Sequence, residues 1–212
     1  MLKVLKFHNL DKLFVTSDTH FCHKLNAVWE KRGHSSPDEH DEGLIKKWNE
    51  TVSSDSDVIH LGDFILNGSV EKCKEYVFRL NGHIYYCWGN HNSFIKDLYK
   101  EALLDNGHSL DTEIYPLTWR NKVTFVGENL NFWAGKRFFV GSHFPYKIWD
   151  YMQWGAGQLS GHSHSGDKER NPDFKLHKTL DCGIDNFGRP INIKEIFNIL
   201  DKKEYVQVDN HH

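Results

Sequence analysis

No stretch of the chain approaches the roughly eighteen uninterrupted apolar residues that a membrane-spanning helix needs, and Met1 to Asp11 lack the apolar core of a signal peptide. Membrane insertion and secretion are therefore not expected, and the Asn-x-Ser/Thr sequons at Asn49 and Asn67 carry no expectation of glycosylation. Cysteine is scarce. The four thiols, Cys22, Cys73, Cys87 and Cys182, stand far apart without a C-x-x-C pair, which argues against a zinc knuckle or a disulfide framework and fits a reducing cytoplasm. Surplus positive charge is also missing: 26 Lys and Arg against 29 Asp and Glu give −3, with no basic stripe to hold long nucleic acid or an anionic membrane. No repeat, low-complexity tract or interdomain linker divides the 212 residues, so one domain over 1–212 is expected.

Histidine, by contrast, is abundant. Fifteen imidazoles in 212 residues direct attention to metal-ligand spacing, because imidazole is the commonest protein metal ligand. Short β-rich runs alternate with helical patterns through the first half: strands at 13–17, 58–61 and 84–88, helices at 44–52, 70–80 and 94–104. That alternation predicts βαβ units and a largely parallel sheet. The second half predicts a second, mixed sheet from strands at 123–126, 137–140, 158–160, 176–180 and 204–208, with one helix near 193–200; residues 31–43 and 165–173 read as surface loops.

Five polar clusters each follow an apolar run: Asp18-Thr19-His20, Gly62-Asp63, Gly89-Asn90-His91, Gly141-Ser142-His143 and Gly161-His162-Ser163-His164. Loops at the carboxyl ends of strands open onto the ligand crevice of α/β sheets, so the five are expected to converge. In four of the five clusters glycine would let the chain turn sharply before the ligands, and an extended backbone would point Asp18 with His20, and His162 with His164, to one side. Singly, each fragment reads equally as a turn or a helix cap; together they point to metal.

The series D-x-H, G-D, G-N-H, H and G-H-x-H over residues 18 to 164 resembles that of the calcineurin-like metallophosphoesterases. Ser17 to His23, with His60 to Phe64, is similar to a group of small bacterial and phage phosphoesterases. The resemblance implies an α/β (α+β) fold: a four-layer αββα sandwich of two mixed sheets flanked by helices. It also implies two divalent ions, one held by Asp18, His20, Asp63 and His164, the other by Asp63, Asn90, His143 and His162, with Asp63 shared. His91 would be the catalytic histidine that is not a ligand, and His23 a substrate contact or a support of the ligands. The expected activity is a hydrolase: attack of a hydroxide bridging the two ions on a phosphodiester or phosphomonoester. Imidazole, carboxylate and amide donors without thiolate suit manganese, with Fe, Zn, Co or Ni as alternatives. This chain departs from the group at Asn92, where many relatives carry an acid, and at Cys22, where glycine is common.

The aromatic segment from Phe144 to Trp154 has two readings. It forms a cleft wall, stacking on a nucleobase with Lys147 on a phosphate, or it closes the core. The first reading favours a small nucleotide-like diester as substrate. A non-catalytic scaffold for a protein partner and a nuclease on short single strands are the alternatives.

Overall fold

The computed structural model describes residues 4–164 and 177–204. Eleven strands form two sheets among these residues. The six-stranded sheet has the order β11 (Ile191–Asn192), β2 (Leu13–Thr16), β3 (Asp57–His60), β4 (His83–Cys87), β6 (Val123–Gly127), β5 (Leu117–Trp119). Its four central strands are parallel and its two edge strands antiparallel. The five-stranded sheet has the order β1 (Leu5–Phe7), β7 (Asn129–Ala134), β8 (Arg137–Ser142), β9 (Gly157–Ser160), β10 (Thr179–Asp181), with β7 and β8 forming its only antiparallel pair among the described residues.

Parallel strands covered on both sides need apolar residues at successive positions, and the period-two pleat sends them to opposite faces. In the larger sheet Phe14, Val58, Ile84, Tyr86, Val123 and Phe125 pack toward helices, whereas Leu13, Val15, Ile59, Cys87 and Val126 pack against Leu130, Phe132, Phe139 and Leu159 of the second sheet. The helical side is built by α2 (Pro37–Thr51), α3 (Val70–Arg79) and α4 (Ile95–Asp105), which bury Leu44, Trp48, Cys73, Val77 and Leu98. A short helix, α1 (Asn26–Lys31), precedes α2, and α5 (Ile184–Phe187) follows β10. The last helix, α6 (Ile193–Asp201), inserts Ile196 and Leu200 into the layer between the sheets and stacks Phe197 on Phe139.

The helix layers are unequal. On the far side of β7 and β8, Trp133, Phe138 and Val140 are covered by Trp149, Met152 and Ala156, so among the described residues an aromatic loop occupies the place of the helical outer layer expected there. Among the described residues, two mixed sheets with six α-helices otherwise match the α/β expectation.

The region read as a loop at 31–43 is helical from Pro37 onward. The Ser36 hydroxyl accepts the Glu39 N–H, Pro37 occupies the first helical position, and Asp38 and Glu39 sit at the positive end of the helix dipole. The loop read at 165–173 lies outside the described residues, as do Leu176 and residues 205–208 of two expected strands. No helix among the described residues is long and apolar enough to cross a membrane.

Candidate metal centre

Because β2, β3 and β4 run parallel, their carboxyl ends emerge along one edge of the larger sheet, and β8, β9 and β10 do the same in the smaller one. Backbone hydrogen bonds join the loops that follow: Asp18 N–H to Gly62 O (3.1 Å), His20 N–H to Asp63 O (3.0 Å), Gly161 N–H to His143 O (3.0 Å) and Ile184 N–H to Ser17 O (3.0 Å). The last of these ties the two sheets together at the site.

The expected extended geometry of the ligand pairs is not what the chain adopts. Asp18, His20, Asp63, His162 and His164 have φ of 56°, 48°, 58°, 70° and 47°, in the left-handed region that L-residues occupy at a cost of about 1–3 kcal/mol each. Cys22 shares it at 59°, which explains why glycine suits that position. The glycines act chiefly by absence of bulk. A Cβ on Gly89 would overlap the Asp63 carboxylate, one on Gly161 would overlap the Ser17 side chain, and one on Gly62 would lie 2.7 Å from His143 Nδ1.

Asp18, His20 and His164 bring one potential ligand atom each into a single group, and Asp18, Asp63 and His143 form a second; either could hold a metal ion. Asp18 Oδ1 lies 3.8 Å from Nε2 of both His20 and His164, and Asp63 Oδ2 lies 3.6 Å from Nε2 of both His20 and His143. The other oxygens of these carboxylates are engaged: Asp18 Oδ2 accepts the His162 N–H and Asp63 Oδ1 the His91 N–H. Asp18 Oδ1 itself is buried without a hydrogen-bond partner, a costly condition that a cation at this position would relieve.

Ring tautomers follow from the partners. His143 Nδ1 donates to Leu61 O (2.8 Å) and His164 Nδ1 to Asp185 Oδ2 (2.7 Å), so the neutral form of each ring turns an Nε2 lone pair inward. Asn90 directs Oδ1 at His143 Nε2 (2.7 Å) and His162 Nδ1 (3.0 Å), completing a convergence of donor atoms. Burial pushes the Asp18 carboxyl up to about 6 and, with positive charge on His164 and Arg32, pushes the His20 imidazole down to about 2. His164 moves the other way, raised by its hydrogen bond to Asp185. His20 Nε2 and His164 Nε2 face each other at 3.2 Å, so without a cation one of the two carries the proton of that contact.

A cleft of about 360 Å³ opens above these groups, lined by His20, Asp63, Asn90, His162 and His164, with Asp18 and His143 buried beneath. Its outer wall is Ala27, Val28 and Lys31 of α1, together with Leu66, a wall that sequence reasoning missed. His91 lines the cleft and is exposed; its ring lies 5.9 Å from that of His20. His23 also lines it, and because its Nδ1 accepts the Leu25 N–H (3.1 Å), the neutral ring carries its proton on Nε2. Lys147 is exposed and absent from the cleft lining, and of the aromatic segment Phe144 alone is recorded against the site, 4.6 Å from the His162 ring. Trp149 and Met152 are core residues, so the core-closing reading describes much of that segment better than the cleft-wall reading.

Asn92 does not face His91. Its Oδ1 accepts from Tyr86 O–H and Gly89 N–H while its Nδ2 donates to Gly89 O, a combination that an ionised acid could not make. Cys22 is half-buried beside Tyr76, and burial together with Asp41 pushes its thiol up to about 11, which makes it a poor nucleophile at neutral pH. Sequence reasoning also missed Asp185, Arg32, His40 and Asp41. Asp185 follows Gly183 just past β10, much as Asp63 follows Gly62 past β3, but β10 is only three residues long.

Fold and site together define an α/β protein with a buried Asp/His cluster able to bind metal. No protein-family model matches the chain. Over 87 residues it is 37% identical to an uncharacterized protein of Methanocaldococcus jannaschii, an alignment covering 41% of this chain and 49% of that protein, so the chain spans about half the length of the curated relative it matches. Among solved structures it is similar to a protein of unknown function from Aquifex aeolicus, with a TM-score of 0.60 and 16% identity over 88% of this chain and 98% of that one. This second likeness shows the fold.

Proposed function

We propose that the chain is a metal-dependent phosphoesterase of the calcineurin-like kind, hydrolysing a small phosphomonoester or phosphodiester. The observation that carries the reading is the unpartnered, buried Asp18 Oδ1, set at equal distance from two imidazole nitrogens. Asp18, His20, Asp63 and His164 would hold one divalent ion, and Asp63, Asn90, His143 and His162 the other. The place of Asp63 Oδ2, 3.6 Å from an imidazole of each set, supports its shared role. Bound divalent ions, manganese first among them, would supply Lewis-acid activation of a phosphoryl oxygen and of water.

The chain's own groups supply the rest. His91, exposed in the cleft and anchored by its N–H on Asp63, is placed to give a proton to the leaving oxygen. His23 offers its Nε2 proton to a phosphoryl oxygen, and the Lys31 ammonium at the rim offsets substrate charge. A cleft of about 360 Å³ with an aliphatic wall suits a small ester and gives no support to base stacking, so the phosphoester class is proposed without a nucleobase. A scaffold with no chemistry has no use for a buried, unpaired carboxylate oxygen.

Metal analysis combined with turnover of aryl phosphate monoesters and bis-aryl diesters tests the proposal. Asp63→Asn is expected to lose both metal affinity and rate. His91→Ala should retain both ions and lose turnover by about 10²–10⁴-fold. Wild-type activity in both variants, or no metal-dependent turnover of any phosphoester, would overturn the reading.

A further inference from the structure

Arg32 caps α1 at its C-terminal end, and its side chain is only 7% exposed. A guanidinium has five N–H donors, and here every one is used. Nε and Nη2 form a fork with Asp185 Oδ1 and Oδ2 (2.9 Å each); Nη2 also reaches Asp18 O (2.8 Å), and Nη1 reaches Thr19 O and His40 Nε2 (2.9 Å each). Because arginine cannot accept, His40 must carry its proton on Nδ1, which donates to Asp41 Oδ1 (2.9 Å). Asp41 Oδ2 in turn accepts the Cys22 N–H and the Tyr76 O–H. One buried chain of polar groups therefore runs from α3 through α2 to Arg32, and from there by two routes to the site: through Asp185 to His164 Nδ1, and directly to the backbone of Asp18 and Thr19.

This geometry is selective. None of the five contacts of Arg32 reaches Asn90, His143 or His162; its direct contacts end on the loop of Asp18 and His20, Asp185 carries it to His164, and the other set is met only through Asp18, whose Oδ2 accepts the His162 N–H. We propose that Arg32 and Asp185 act as one positioning unit that sets the metal affinity of the half-site formed by Asp18, His20 and His164 more strongly than that of the other half-site. The inference rests on the two-ion reading above. The physical basis is that a ligating imidazole fixed by a carboxylate keeps its tautomer and ring angle, and that the left-handed backbone at Asp18 and His20 needs its carbonyls pinned to persist.

The test uses the full chain stripped by chelator and titrated with Mn²⁺ by calorimetry. Arg32→Gln/Asp185→Asn removes both buried charges together, so neither is left unpaired. Expected is an affinity loss of about 10–100-fold for one ion with a smaller loss for the second, and a reduced added loss when the same pair is placed in a His164→Ala chain, where the route through Asp185 is already cut. Arg32→Lys, which keeps the charge but not the planar fork, should recover part of the loss. Unchanged affinities in the double variant, or equal weakening of both ions, would overturn the proposal. Should the double variant fail to fold, Arg32→Lys decides, and wild-type affinities there count against it. A wild type that takes up fewer than two ions overturns the two-ion reading and this inference with it. Two ions in the wild type, undisturbed in the variants, overturn this inference alone.

Discussion

At single residues the site depends on atoms brought closer than side chains ordinarily permit. Gly89 is the sharpest case, since its missing Cβ leaves the space that the Asp63 carboxylate fills, and the Asp63 nitrogen lies 2.7 Å from the same point. Gly89→Ala should therefore lower the stability of the metal-free chain by about 1–3 kcal/mol in urea unfolding and weaken metal uptake, because the overlap pushes aside the carboxylate that the two proposed ion positions would share. A wild-type urea midpoint would show that the loop yields without strain. The ligands themselves were legible in the sequence because each follows a glycine or a strand end. Arg32 and His40 were not, since Asp185, the fork partner of Arg32, lies 153 positions away and a lone arginine in a polar stretch has no periodicity to betray it.

At the scale of elements, the parallel core was readable and the polar-flanked parts were less so. The bounds of β2, β3, β4, α3 and α4 fall within a residue of the apolar runs, as burial on both faces leads one to expect. Strand β7 escaped notice because Asn129 and Asn131 interrupt the run, although Leu130, Phe132 and Ala134 alternate with them toward the core. The apolar pattern marks only the later turns of α2, because its first turns are charged, although its capping serine and proline stand in the sequence. Helix α6 carries a full capping box, with Asn192 accepting the Lys194 N–H and Glu195 accepting the Asn192 N–H. Asn192→Ala is expected to cost about 1 kcal/mol, read as a lower thermal midpoint, and to leave metal uptake intact because the helix lies away from the cleft lining.

The molecule as a whole carries a pH dependence in its core. His60 is fully buried between Trp48 and Tyr86, and burial pushes its imidazole down to about 3. Its pKa is thus lower in the folded state than the unfolded value near 6.5, so its contribution to stability is complete above about pH 6.5 and is lost as pH falls toward 3. His20, pushed down to about 2 in the metal-free chain, acts in the same direction. Asp18, raised to about 6, opposes them with a smaller shift. Urea midpoints of the metal-free chain should therefore fall from pH 7 to pH 4.5 by the equivalent of a few kcal/mol. A flat profile would contradict the buried, neutral state of His60.

The hydrogen bond from Ile184 to Ser17, which stitches one sheet to the other, has a consequence for biosynthesis. The candidate ligands, contributed by positions from 18 to 164, come together around that seam. During translation the emerging polypeptide holds Asp18, His20 and Asp63 long before their counterparts leave the ribosome. Were the site to take up metal as proposed, capture would wait until β8, β9 and β10 had docked, and loading would be coupled to completion of the fold.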